Sequence, residues 1–156
     1  MKLFIASDHA GFELKEKICL IGRGLGVEWE DLGPSDGTSV DYPVYAQKLV
    51  EAVLAQNDEA ALLGPCGVLI CGSGVGMSIA ANRHRKIRAA LCQTPLVAEL
   101  SRQHNASNVL CLGSRLLTGD EAMRTFETWF KTPFEGGRHA RRVALMDAKL
   151  PVGEQK

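Results

Sequence analysis

The stretch Cys71-Gly72-Ser73-Gly74-Val75-Gly76-Met77-Ser78 concentrates residue types that can do chemistry. Glycines at alternate positions let the backbone turn tightly, and turn amides leading into a helix form a cradle for negative charge. The same field favours a thiolate at Cys71, a candidate base or nucleophile near neutral pH. A buried strand cysteine is the plainer alternative, and the abutting cradle weighs toward function. The pattern is not a dinucleotide fingerprint. Met77 stands where the third glycine would be, and the segment follows the third predicted strand rather than the first. A nicotinamide or flavin cofactor is therefore disfavoured. Nor is it a phosphate-binding P-loop, since no Gly-Lys-Ser/Thr follows.

Three other groups are candidates. Asp8-His9 ends the first apolar run, where a histidine beside an acid can contact phosphate or move a proton. A helix cap by Asp8 accounts for the same residues. His104-Asn105 ends a predicted helix, where an imidazolium meets the helix dipole and Asn105 serves as a left-handed cap. Taken with Cys71 and the cradle, His104 also suits proton transfer next to a carbonyl. Arg138, His139, Arg141 and Arg142 crowd a predicted helix start, the wrong end for cations unless an anion binds there. Arg138 and Arg142 share a face and can grip one phosphate, whereas Arg141 reads as solvated. A second basic run, Arg83 to Arg88, reads as mostly surface.

These residues need a scaffold, and the chain alternates strand and helix patterns. Strands are expected over Lys2–Ser7, Val27–Leu32, Gly67–Cys71, Arg88–Cys92 and Val109–Leu112. Helices are expected over 12–23, 42–56, 76–84, 95–103, 119–130 and 138–148, with Asp41 capping the second. Residues 57–65 read as a surface loop and 149–156 as a frayed end of one 1–156 domain. Connections this long exclude hairpins and imply an α/β fold, a five-stranded parallel sheet with helices on both faces. Ligands of such folds sit beyond the C-terminal strand ends. Asp8, Cys71–Ser78, Gln93-Thr94 and Gly113-Ser114-Arg115 should share that edge.

Composition removes several classes. The 156 residues carry no net charge, which argues against a nucleic-acid grip. No apolar run reaches the roughly 18–20 residues of a membrane span. The N-terminal run meets Asp8 too early for a secretory signal, and five cysteines with no C-x-x-C pair suit a reducing cytoplasm.

Taken together, these stretches resemble the ribose-5-phosphate isomerase B family, which includes galactose-6-phosphate isomerase subunits. The resemblance runs from Ser7-Asp8-His9-Ala10-Gly11 to Arg142. It includes Asp41-Tyr42-Pro43, Ile70 to Asn82, Ser101-Arg102-Gln103-His104-Asn105, Asn108-Val109-Leu110, Leu112-Gly113-Ser114-Arg115 and Glu135-Gly136-Gly137-Arg138-His139. It implies a Rossmann-like three-layer α/β/α sandwich and a metal-free, cofactor-free aldose–ketose isomerase of a phosphorylated sugar. It implies homodimers or dimers of dimers whose sites combine two subunits. Cys71 matches the base that moves a proton between C1 and C2 through a cis-enediolate, and Ser73 the residue that moves one between O1 and O2. Gly72, Gly74 and Gly76 match the anion hole, and His104 the ring-opening residue, with Asn105 beside it. Asp8 and Tyr42 match substrate contacts. His9, Arg115, Arg138 and Arg142 match the phosphate set. Ribose 5-phosphate is the expected substrate. Other readings are another sugar phosphate, a non-catalytic partner subunit, or, more distantly, a thiol hydrolase. Arg83 departs from the family's usual lysine, and the 57–65 loop is longer than usual.

Overall fold

A strand covered on both sides must send alternate side chains into two separate cores. The computed structural model, which describes residues 1–148, has that arrangement; the fraying expected over 149–156 lies outside the described residues. The strands are β1 (Lys2–Ser7), β2 (Glu28–Asp31), β3 (Gly67–Cys71), β4 (Ala89–Leu91) and β5 (Val109–Gly113). The helices are α1 (Phe12–Gly24), α2 (Tyr42–Ala55), α3 (Val75–Ala81), α4 (Pro95–Asn105), α5 (Gly119–Lys131) and α6 (Arg138–Asp147). All strand pairs are parallel, in the order β2-β1-β3-β5-β4. Leu3, Ile5, Val68, Ile70, Leu110 and Leu112 face α1, α4 and α5. Phe4, Ala6, Leu69, Cys71, Val109 and Cys111 face α2 and α3. The result is the expected three-layer α/β/α sandwich. No helix among the described residues is long and apolar enough to cross a membrane.

Several local expectations differ from the structure. β4 covers only Ala89–Leu91, because the amide of Arg88 is drawn to the Asn108 side chain at 2.8 Å instead of a ladder partner. α3 stops at Ala81, where the Asn82 side chain turns to bond the backbone of Ala89. Asp41 stands at the start of α2 without a capping hydrogen bond. Ala106, not Asn105, is the left-handed residue after α4, with φ 47°. The loop 57–65 contains a 3-10 turn, Ala61–Leu63, and buries Leu62. Arg88, expected at the surface, is 7% exposed and donates to Ala106 O, Lys86 O and Leu62 O and to Asp147 Oδ2.

One buried cation shapes the approach to the sheet's C-terminal edge. Lys15 of α1 is 1% exposed and donates from Nζ to both Asp31 oxygens and to Pro34 O, at 2.7–2.8 Å. It ties the end of β2 to the turn that returns toward α2. Lys15→Met removes these charge-assisted bonds and leaves the Pro34 carbonyl without its donor. The expected cost is about 1.5–3 kcal/mol, read from urea denaturation.

Candidate active site

The chain order of the sheet reverses between β1 and β3, since β1 leads outward to β2 and β3 leads toward β5. Open α/β sheets leave a crevice at such a reversal, beyond the strand ends. A cavity of about 300 Å³ lies there, lined by Asp8, Tyr42, Cys71, Gly72, Ser73, Gly76, Arg115 and Leu116. Asp8 follows β1, Cys71 ends the buried central strand β3, and Arg115 follows β5. Leu116 is the one lining residue without a signal in the sequence, being one apolar residue among many.

The glycine turn is built by exclusion. Gly74 adopts φ +74°, and a Cβ there would lie 2.9 Å from the carbonyl carbon of Leu112 and 2.6 Å from a Leu91 methyl. Only glycine lets the turn pass this close to β5. Its amide then donates to Cys71 Sγ at 3.1 Å. Gly74 thus contacts the Cys71 sulfur directly. Ser73 Oγ accepts from Val75 N at 3.3 Å, which points the hydroxyl along the same turn. The Tyr42 ring lies over Gly76, and the Arg115 guanidinium over Gly72, each filling space that a side chain would take. α3 has seven residues, so the turn amides rather than a long helix dipole supply the field.

Asp8 is both a cap and a cavity residue: its Oδ1 accepts from Gly11 N at 2.9 Å. His9 stands on the same sheet edge, in the turn His9–Gly11, with Nδ1 3.3 Å from Val40 O; it does not line the cavity.

The other four candidates lie elsewhere. α4 starts after the C-terminal end of β4 and runs back for eleven residues, about 16 Å at the usual helical rise. His104 and Asn105 therefore sit at the N-terminal edge of the sheet, across the molecule from Cys71. There the His104 ring stacks on His139, with centroids 4.4 Å apart and planes at 8°. Arg138 and Arg142 are exposed on α6 beside them. One chain does not bring the expected groups into one site. It carries a cysteine half and a histidine–arginine half at opposite edges.

His104, Glu135 and His139 are a possible metal-ligand trio, with ligand atoms within 4.8 Å of one another. The surroundings oppose a cation. Arg138 Nε donates to His139 Nε2 at 3.4 Å, and the charges of Arg138 and Arg142 act on the same ring. The trio suits an anion's neighbourhood better than a divalent ion.

The chain matches the family model described as Ribose/Galactose Isomerase over residues 3–146. The chain belongs to that family. It is 42% identical over 147 residues to ribose-5-phosphate isomerase B of Escherichia coli, covering 94% of this chain and 95% of the relative. A solved ribose 5-phosphate isomerase of Thermotoga maritima matches with TM-score 0.85 and 49% identity, covering 94% and 97% of the two chains. The ribose-5-phosphate isomerase B of Mycoplasma genitalium, solved with bound ribulose-5-phosphate, matches with TM-score 0.86 and 39% identity, covering 94% and 93%. The resemblance read in the sequence and the fold expected from it hold, and membership makes the chain an isomerase.

The five thiols are all free and all buried, and Cys71 is the one that lines a cavity. Burial pushes Cys19, Cys66 and Cys92 up to about 11, and Cys111 well above the ordinary value. These four stay protonated at neutral pH. Iodoacetamide at pH 7.5 should modify one thiol per native chain, Cys71, by peptide mass analysis; modification spread over several thiols contradicts the assignment. Burial, then His104, Arg138 and Arg142, hold His139 below its ordinary 6.5. The unfolded chain therefore binds more protons there, so stability is full above pH 6.5 and falls as pH drops from 6.5 toward the folded value. Replacing His139 by Asn should flatten that fall in a denaturation series.

Proposed function

We propose that this chain interconverts D-ribose 5-phosphate and D-ribulose 5-phosphate without a metal, through a cis-enediolate, with Cys71 as the base. The observation that carries the proposal is the Cys71 sulfur, held by the Gly74 amide at 3.1 Å in a cavity shared with Ser73 and Asp8. A relative of the same fold with bound ribulose-5-phosphate supports the substrate.

The chemistry follows from what a sugar α-proton requires. It is very weakly acidic, so a base alone is insufficient, and fixed donors must meet the charge that develops on oxygen. The Cys71 thiolate takes the proton from C2, and the electron pair becomes the C1–C2 double bond of the enediolate. Amides of the Gly72–Gly76 turn face the two oxygens. Ser73 relays a proton between O2 and O1, and the Cys71 thiol returns its proton to C1. The phosphate does not react, so its binding energy positions the sugar and excludes water. His9 and Arg115 serve it from this edge. Ring opening comes first, because only the open aldose has a carbonyl, and His104 assists it with Asn105 alongside.

His104, Asn105, Arg138 and Arg142 reach that cavity only from a second copy. β4 is one of the two open edges of the sheet and pairs with β5 alone. Its two flanks are apolar: Val75 and Ile79 on α3, Leu96, Val97 and Leu100 on α4, all at least 40% exposed. Two copies meeting there about a two-fold axis perpendicular to the strands run their sheets in opposite directions. The histidine–arginine edge of one copy then lies over the cysteine edge of the other, twice. The working unit is a homodimer of 1–156 domains, alone or as a dimer of dimers, with shared sites. Five free thiols suit a reducing cytoplasm.

Purified protein in excess chelator should form ribulose 5-phosphate from ribose 5-phosphate with kcat of roughly 1–10³ s⁻¹. No turnover by folded protein would refute that substrate and favour another sugar phosphate. Cys71→Ala should abolish turnover with substrate binding nearly intact. Arg138→Ala should mainly raise KM, and a pure kcat loss contradicts its phosphate role.

A further inference from the structure

The N-terminal edge of the sheet is held together by an arginine that the chemistry does not use. Arg102 lies on α4, two residues before His104, and is 2% exposed. Its guanidinium donates Nη1 to Ser107 O at 2.7 Å, Nε to Thr132 O at 3.2 Å and Nη2 to Leu63 O at 3.0 Å. Among the described residues no carboxylate lies within ion-pair distance of it. A buried cation without a counter-ion is costly, and its hydrogen bonds, with the Trp129 ring 6.0 Å from the guanidinium, offset that cost. Burial also pulls its pKa down to about 10.

The three acceptors show what the side chain does. Ser107 lies just beyond the turn that ends α4. Thr132 closes α5 and opens the turn that leads to Arg138 and His139. Leu63 belongs to the loop before β3. The same joint has a backbone bond, Glu135 N to Gln103 O, at 3.1 Å. The Arg102 fork thus fixes the end of the helix that bears His104 against the turn that bears the phosphate arginines. A planar guanidinium with five donors can serve three diverging carbonyls, and a lysine ammonium on one stem cannot match that geometry.

We propose that Arg102 is a positioning residue for the histidine–arginine half-site, locking His104 and the Arg138–Arg142 helix into one unit that enters the Cys71 cavity of a second copy. The proposal rests on the shared-site reading above. Because ring opening and phosphate binding both lie on that unit, Arg102→Gln should lower kcat and raise KM together. A misplacement of about 1 Å is enough for a loss of roughly 10²-fold.

Subunit complementation separates this role from general support of the fold. Chains are unfolded and refolded together in equal amounts, then assayed with ribose 5-phosphate. A Cys71→Ala chain mixed with an Arg102→Gln chain leaves one intact site per heterodimer, and random pairing restores about a quarter of the wild-type activity. An Arg102→Gln chain mixed with a His104→Ala chain should stay inactive, because both lesions fall on the same half. Mixing Cys71→Ala with His104→Ala tests the shared site itself, and its failure overturns that reading and this one with it. If that pair complements while Cys71→Ala with Arg102→Gln does not, the shared site stands and the role of Arg102 is refuted. Complementation of Arg102→Gln by His104→Ala also refutes it. Where Arg102→Gln fails to fold, Arg102→Lys is taken through the same mixtures, and wild-type kinetics of that variant alone would overturn the proposal.

Discussion

The structure depends on placing one sulfur at the end of its central strand and aiming a backbone amide at it. β3 is buried along its whole length, so Cys71 cannot shift without moving the sheet. The turn that follows must fold back at once to bring the Gly74 amide within 3.1 Å of Sγ. It does so by passing against β5 where no side chain fits. A Cβ on Gly113 would lie 2.7 Å from the Ser73 carbonyl carbon, and one on Gly74 would meet Leu112. The glycines are there less for flexibility than for thinness. They let two strand ends and a turn occupy the space of one ordinary contact.

The second constraint is the distance between the halves of the site. A parallel sheet puts strand ends and helix ends at opposite edges, so no rearrangement of loops delivers His104 to Cys71 within one chain. In the dimer we propose, two-fold pairing through the β4 edge solves this with the same geometry that creates it. The reversed direction of the second sheet carries the far edge across. The cost of this solution is that the donated half must keep its shape with little of the sheet behind it. Arg88, Arg102 and Asn108 meet that need by gripping main-chain carbonyls where helices and loops converge.

Much of this was legible in the sequence, for identifiable reasons. Strands buried on both faces read as continuous apolar runs, as in Val68-Leu69-Ile70, and helix starts and stops carried proline, threonine and glycine. The cysteine cradle was legible because cysteine and spaced glycines are rare together. The interior arginines were not. Arg88 and Arg102 look like surface charge in a sequence, since what distinguishes them is a set of backbone acceptors assembled from distant segments. For the same reason the 57–65 loop read as surface, although Leu62 and Leu63 supply two of those acceptors. The left-handed Ala106 was missed because asparagine beside it is the commoner choice. The separation of the two halves followed from topology, which spacing along the chain does not reveal.

The central claim is that Cys71 moves a proton, not a hydride, between C2 and C1. It is tested most directly by running the isomerisation in D₂O and locating deuterium in the ribulose 5-phosphate by NMR. A thiol that exchanges with solvent before returning its proton puts deuterium at C1 in the wild-type product, and the Cys71→Ala protein incorporates none. Deuterium at C1 formed at the wild-type rate by the Cys71→Ala protein would contradict the role assigned to Cys71.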